Sequence, residues 1–138
     1  MKALLLVLFC GLLSPLSSFA QADTEPDAPV ELKQFVYVLQ VISRLQTVEN
    51  WTEADNAIVQ EHFQRLAGLT EAGTVLLAGR TLGMSDDDFG LVILQAPDEA
   101  TATTLMNEDP AVRDGIMTAK LFPYRIALMK APETGGTP

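Results

Sequence analysis

One segment of the 138-residue chain, residues 51–73, combines the start, the period and the stop of a long amphipathic helix. Thr52 followed by Asp55 is typical of a capping box in which Asp replaces the usual Glu, and Gly73 favours a helix end. At about 100° per residue, one face of this helix carries Ile58, Val59, His62, Phe63, Leu66 and Leu69. We therefore expect His62, the only histidine of the chain, to point inward. A buried imidazole needs a polar partner, so the identity of that partner bears directly on function.

Four segments rich in β-branched and aromatic residues predict strands around this helix. They are residues 35–42, 74–82 and 89–96 and part of 118–129. In the second of them, Gly79 indicates a bulge or a close backbone approach. In the last, Pro123 predicts either a position at the sheet edge or pairing that begins mainly after the proline.

A second helix is expected to begin after Asp98, to direct Leu105 and Met106 towards the core and to end before Pro110. Residues 109–115 then predict a short helical piece with an aspartate cap, a proline at the first position and a glycine at the stop. The resulting βαββαβ order predicts a ferredoxin-like α+β sandwich, in which two helices cover one face of a four-stranded sheet.

The uncovered face of this predicted sheet needs a partner. The first and third strands are apolar along nearly their whole length, and the third is expected to be buried on both faces. Two helices cannot cover both sides of the sheet, so we expect a second copy of the chain to cover the other side. The sequence therefore predicts a homodimer.

The first twenty residues are typical of a signal peptide. Lys2 is followed by an apolar core over residues 3–13 and by Ser18-Phe19-Ala20, a small-x-small cleavage site. Cleavage after Ala22 is the alternative. The apolar run is broken by Ser14-Pro15 and is shorter than the roughly 20 residues of a membrane span. We expect an exported protein, periplasmic or secreted, that has no membrane association after cleavage.

The remaining chain divides into three predicted parts: a flexible lead over 21–33, one ferredoxin-like domain over 34–130 and a disordered tail over 131–138. The single cysteine, Cys10, lies in the leader, so the mature chain is expected to contain no disulfide. The 18 acidic residues outnumber the 9 basic ones, for a net charge of −9. This acidity argues against nucleic acid as a partner, because phosphate binding needs a basic surface.

Separated motifs along the chain resemble the YCII-related (YciI-like) domain family. They are Trp51-Thr52-x-x-Asp55, His62-Phe63, Leu76-Leu77-Ala78-Gly79-Arg80-Thr81-Leu82, Phe89-Gly90-Leu91-Val92, Asp109-Pro110-Ala111-Val112 and Gly115-Ile116-Met117-Thr118-Ala119. The resemblance covers about residues 35–129. It implies a dimeric ferredoxin-like α+β barrel with a His and Asp pair in a cleft, at His62 and Asp109 here. It also implies relatives that remove a proton and a chloride from muconolactone-type rings.

His62, Asp109 and Arg80 are the candidate site residues. An imidazole takes up and releases a proton near neutral pH, and a carboxylate on one ring nitrogen would leave the other as a base. A guanidinium at Arg80, near the end of a strand expected to be an inner one, could hold a substrate carboxylate. The alternatives are a core histidine bonded to a backbone carbonyl, an aspartate that only caps a helix and a solvated strand-end charge.

Two functions follow from these residues. In the first, His62 and Asp109 catalyse proton transfer on a small carboxylate or lactone that Arg80 anchors, and isomerisation or elimination results. In the second, the protein is a non-catalytic module that binds a small anionic organic ligand, or a dimer whose histidine is structural. One histidine and no mature cysteine argue against a zinc site, and Asp86-Asp87-Asp88 lacks the spacing of a calcium loop. No cofactor is expected.

Overall fold

The computed structural model describes residues 30–83 and 87–130. The elements are β1 (Lys33–Val41), α1 (Glu53–Glu71), β2 (Val75–Arg80), β3 (Gly90–Ala96), α2 (Glu99–Asn107), α3 (Pro110–Arg113) and β4 (Met117–Tyr124). Two 3-10 turns, Ser43–Gln46 and Val48–Asn50, join β1 to α1. The predicted signal peptide, most of the predicted lead and the predicted tail lie outside the described residues, as does part of the loop between β2 and β3.

The four strands form one antiparallel sheet in the order β2-β3-β1-β4. This order and the βαββαβ sequence of elements are those of the ferredoxin-like fold, so the predicted α+β class is confirmed. β4 lies at an edge, as Pro123 predicted, and the proline itself pairs opposite Phe35. Most of the pairing of β4 precedes Pro123. The predicted irregularity of β2 is present, but it lies between Val75 and Leu77 rather than at Gly79.

The helices cover one face of the sheet, and the main core lies between them. α1 contacts β2 and α3, while α2 contacts β1, β3 and β4. The buried members of this core are Phe35, Tyr37, Leu39, Leu66, Val75, Val92, Leu94, Ala96, Ala102 and Met106. A smaller core of Leu45, Ala111 and Ile116 packs between the first 3-10 turn and α3. The chain corner that begins α3 lies where these two cores meet.

The opposite face of the sheet has no layer of its own in the described structure. Strand β3 is buried at Val92 and Leu94 on the helix side, but Leu91 and Ile93 on the other side are only half-buried. The expectation that the third strand is buried on both faces is therefore wrong for a single chain.

Among the described residues, no helix is long and apolar enough to cross a bilayer.

Candidate functional site

His62 lies in the middle of α1 and meets Asp109 at the start of α3. Its Nδ1 atom is 2.6 Å from Oδ1 of Asp109, and its side chain is 14% exposed. The histidine is thus bonded to a carboxylate rather than to a backbone carbonyl, and it is not sealed from solvent. His62 and Asp109, the two residues that the sequence singled out, are 47 positions apart in the chain and are in direct contact.

Asp109 is fully buried, and local sequence fixes its position. It is the N-cap of α3, with Pro110 at the first helical position, and its Oδ1 accepts a hydrogen bond of 3.0 Å from the backbone N–H of Ala111. Proline suits this position because its missing N–H would have no helical partner. The cap and the contact with His62 use the same oxygen.

Tyr37 supplies the partner of the second carboxylate oxygen. Its hydroxyl donates a hydrogen bond of 3.0 Å to Oδ2 of Asp109 from the middle of β1. Burial, and then the charge and hydrogen bond of Asp109, raise the pKa of Tyr37 above its ordinary value. The hydroxyl therefore stays protonated and acts as a donor. Both oxygens of the buried carboxylate are satisfied, as a charge in the core requires.

This arrangement determines which nitrogen of His62 is available. Asp109 accepts from Ala111 and Tyr37, so the ionised carboxylate fits its surroundings and Nδ1 of His62 carries the proton between them. The lone pair of the neutral ring is then on Nε2. Nε2 has no hydrogen-bond partner in the part of the chain that the structure describes. A carboxylate that fixes one nitrogen and leaves the other free is the arrangement of a general base.

Arg65 extends the site by one helical turn. Its Nη2 lies 3.3 Å from Oε2 of Glu108, the residue before Asp109, and its Nη1 is buried without a hydrogen-bond partner among the described residues. Tyr37 and Arg65 were both missed by sequence reasoning. A tyrosine in a strand does not disclose a partner 72 residues away. A signal for Arg65 did exist, because it is three residues after His62 and shares its side of the helix.

Arg80 is not in contact with this group. It ends β2, which is an edge strand, so the expectation of an inner strand was wrong. It pairs opposite Gly90, which pairs opposite Leu39 on the helix-covered face. Strand spacing places it roughly 12 Å from Tyr37 on the same face. It is exposed, and within residues 30–83 and 87–130 its guanidinium makes no hydrogen bond or ion pair.

The described residues contain no group of three or more His, Cys, Asp or Glu side chains placed to hold a metal ion. The polar groups of the site are the imidazole of His62, the buried carboxylate of Asp109, the phenol of Tyr37 and the ion-paired guanidinium of Arg65. They can accept and return a proton beside a positive charge.

The four-stranded ferredoxin-like sheet, with a His and Asp pair held by the helices that cover it, defines a class of small α+β proteins. The model of the YCII-related domain matches residues 36–123, and the chain belongs to this family. The resemblance noted from the motifs is thereby confirmed.

Among solved structures, the chain is similar to the uncharacterized protein TM1266 from Thermotoga maritima. The identity is 13%, the match covers 69% of this chain and 100% of the other, and the TM-score is 0.43. A comparison with curated proteins finds no match.

Proposed function

We propose that the protein is an isomerase or lyase that removes a proton next to a carbonyl in a small carboxylate or lactone. The observation that carries the proposal is the 2.6 Å contact between Nδ1 of His62 and Asp109, which leaves Nε2 as the free basic atom. The fully buried Asp109 stabilises the ring once it becomes positively charged.

The proposed reaction has two steps. Nε2 of His62 takes a proton from the carbon next to the carbonyl, and the electron pair moves into the carbonyl to give an enolate. In isomerisation, the substrate carries a double bond conjugated with the enolate, and the imidazolium returns the proton to the far carbon of that system. In elimination, the electron pair returns and expels an anionic leaving group from the neighbouring carbon, and the imidazolium then gives its proton to solvent. Arg80, the anchor that the sequence suggested, lies on the same sheet face as Tyr37 but two strands away, and it takes no part in this proposed reaction.

The first prediction concerns proton removal, which solvent-deuterium exchange measures directly. In heavy water, NMR would follow exchange at carbon next to the carbonyl in 4-oxopentanoate and in small γ-lactones bearing a carboxymethyl group. We expect His62→Ala to reduce exchange to the rate of buffer alone. We expect Asp109→Asn, which can still cap α3, to reduce it by about a hundredfold or more because the ring loses its orientation and tautomer.

Gln64→Ala, at an exposed position on the same helix, is the control and should exchange like the wild type. Equal exchange by His62→Ala and the wild type, or no exchange above buffer across the set, would refute catalysis. If ligand still binds to the wild type but not to His62→Ala, the binding module would then be favoured. A large loss of thermal stability alone would favour a structural histidine.

We further propose a homodimer formed through the open face of the sheet. Val36, Val38, Leu91 and Ile93 form a half-buried apolar centre on this face. Leu77, Phe122 and Tyr124 surround it with 50%, 39% and 45% of their surfaces exposed. These side chains form an apolar patch that is bordered by Lys120 of edge strand β4, and an apolar patch of this kind favours association.

Export to the periplasm or the exterior remains a proposal supported by the sequence of the leader.

A further inference from the structure

Two neighbouring side chains of α1 contact two successive residues at the corner between α2 and α3. His62 contacts Asp109, and Arg65 contacts Glu108. Side chains three residues apart on a helix have Cβ atoms about 5–6 Å apart. The side chains of Arg65 and His62 therefore leave the same side of α1 and reach two adjacent residues, whereas Arg80 is two strands away from Tyr37.

The guanidinium of Arg65 is poorly satisfied. Its one ion pair among the described residues, to Glu108, has a long distance of 3.3 Å, and the Glu108 side chain is 63% exposed. A long ion pair with a solvent-exposed partner contributes little to stability. Nη1 is buried, and it has no acceptor among the residues that the structure describes. Arginine presents several donors in a planar fork that matches a carboxylate, and here at least one of them is unused.

Arg65 and Glu108 also differ in exposure. The Arg65 side chain is only 21% exposed, whereas Glu108 extends into solvent. The positive charge of Arg65 acts on Tyr37, where it opposes the effect of Asp109 on the tyrosine pKa. The cation thus belongs to the interior of the site, while its present partner belongs to the rim.

We propose that Arg65 binds the carboxylate of a small organic acid in exchange for Glu108 and thereby places the acid against Nε2 of His62. This inference rests on the proposed function and specifies its ligand as a carboxylate rather than a neutral lactone. Release of Glu108 lets the guanidinium turn and expose Nη1, so the ligand gains two parallel hydrogen bonds in place of one long contact. Glu108 is then an internal competitor for the ligand.

The second prediction uses opposite effects at the two partners. Binding of 4-oxopentanoate would be titrated by NMR, with the neutral 4-oxopentanamide as the uncharged comparison. We expect Arg65→Gln to weaken 4-oxopentanoate binding by about tenfold or more, because a charge-assisted pair is lost. We expect Glu108→Gln to strengthen it by about two- to fivefold, because the competing carboxylate is gone. Binding of the amide should be weak and unchanged in both variants.

Glu61→Gln is the matched control for Glu108→Gln. Glu61 adjoins His62, is 61% exposed and makes a weak ion pair of 3.9 Å with Arg113. The Glu61→Gln substitution removes the same charge beside the site. Equal strengthening of 4-oxopentanoate binding by both variants would therefore mean a general electrostatic effect and would overturn the proposal. Arg80→Gln should bind like the wild type; if it alone weakens binding, Arg80 is the anchor and the proposal is wrong.

Thermal unfolding would establish that each variant is folded. If Arg65→Gln does not fold, two tests of the proposal remain. One is Arg65→Lys, because lysine keeps the positive charge but lacks the planar fork of donors. The other is the comparison of Glu108→Gln with Glu61→Gln. Unchanged affinity in a folded Arg65→Gln variant would overturn the inference while leaving His62-dependent exchange intact. Conversely, binding that depends on Arg65 without any deuterium exchange would refute catalysis but not the role of Arg65 in binding.

Discussion

At the scale of single residues, Tyr37 determines how the pair of His62 and Asp109 is held. Its ring belongs to the main core, and its hydroxyl is the partner of Oδ2 of Asp109. Without this donor, a buried carboxylate oxygen would have no hydrogen bond, and the carboxylate could rotate away from the imidazole. Tyr37 is therefore a positioning residue that acts on the base through Asp109.

The third prediction is that Tyr37→Phe keeps the core packing and lowers stability at neutral pH by about 1–3 kcal/mol, because one carboxylate oxygen becomes unsatisfied. The same variant should lower the rate of deuterium exchange. Tyr37 also introduces a pH dependence with a definite sign. Its pKa is raised in the folded state, so its stabilising contribution is complete below the ordinary value of 10.0 and declines as the pH rises above it.

Urea denaturation between pH 7 and about pH 11 would check this prediction. The wild type should lose stability above about pH 10 more steeply than Tyr37→Phe. Tyr124→Phe, at an exposed position of β4, should follow the wild type. An identical alkaline slope in Tyr37→Phe and the wild type would contradict the assigned role of the buried hydroxyl.

At the scale of secondary-structure elements, the start of α1 is held by more contacts than its sequence suggested. Thr52 and Asp55 form the predicted capping box. Asp55 also receives two hydrogen bonds from Arg44 of the first 3-10 turn, at 2.6 Å and 3.1 Å. These contacts, with that of Arg44 first and those of Thr52 second, lower the pKa of Asp55. The helix that carries His62 and Arg65 is thereby tied to the end of β1.

The fourth prediction follows from the lowered pKa. Asp55→Asn should destabilise the protein at pH 7, and its deficit relative to the wild type should shrink as the pH falls below the ordinary aspartate value of 3.8. The stabilisation is complete above this value because the unfolded chain is ionised there as well. Glu53→Gln removes a charge from the same turn and is the control. A deficit that is equal at pH 3 and pH 7 would contradict the prediction.

The helix bounds and most of the inward face were predictable from the sequence, but one edge of that face was not. The caps at Thr52 and Asp109 and the stop glycines at 73 and 115, both with positive φ, depend on neighbouring residues alone. Phe63, in contrast, was expected inside and is 71% exposed. It lies about 160° around the helix from Arg65. The other members of the expected face are buried or half-buried, so the inward face extends towards Arg65 rather than towards Phe63.

At the scale of the whole molecule, the topology was predictable because the order of elements allows few arrangements. The contact between His62 and Asp109 followed from the family resemblance, since local patterns carry no information on pairs distant in the chain. The same limit explains why Tyr37 was missed and why Arg80 was placed on an inner strand. Strand order depends on the packing of all elements together.

The fifth prediction concerns the proposed homodimer. Val38 lies on the central strand β1, and its side chain points to the open face between Leu91 and Lys120. A lysine there would have to be desolvated in a sheet-to-sheet interface, so Val38→Lys should shift the protein to monomer in sedimentation velocity. Val48→Lys, where the valine is already 62% exposed outside the sheet, should leave the dimer unchanged. A monomeric wild type, or a dimer that persists in a folded Val38→Lys variant, would contradict this interface.

The use of Asp109 as both helix cap and ligand of the imidazole has a consequence for interpreting other chains with the same corner. In such a chain, Asp is one of the residues favoured before the proline simply to begin the helix, whether or not the chain performs any chemistry. An Asp-Pro pair at this position is therefore weak evidence of activity. Positions equivalent to His62 and Arg65, which no capping requirement protects, are the better markers of whether a chain of this shape handles a ligand.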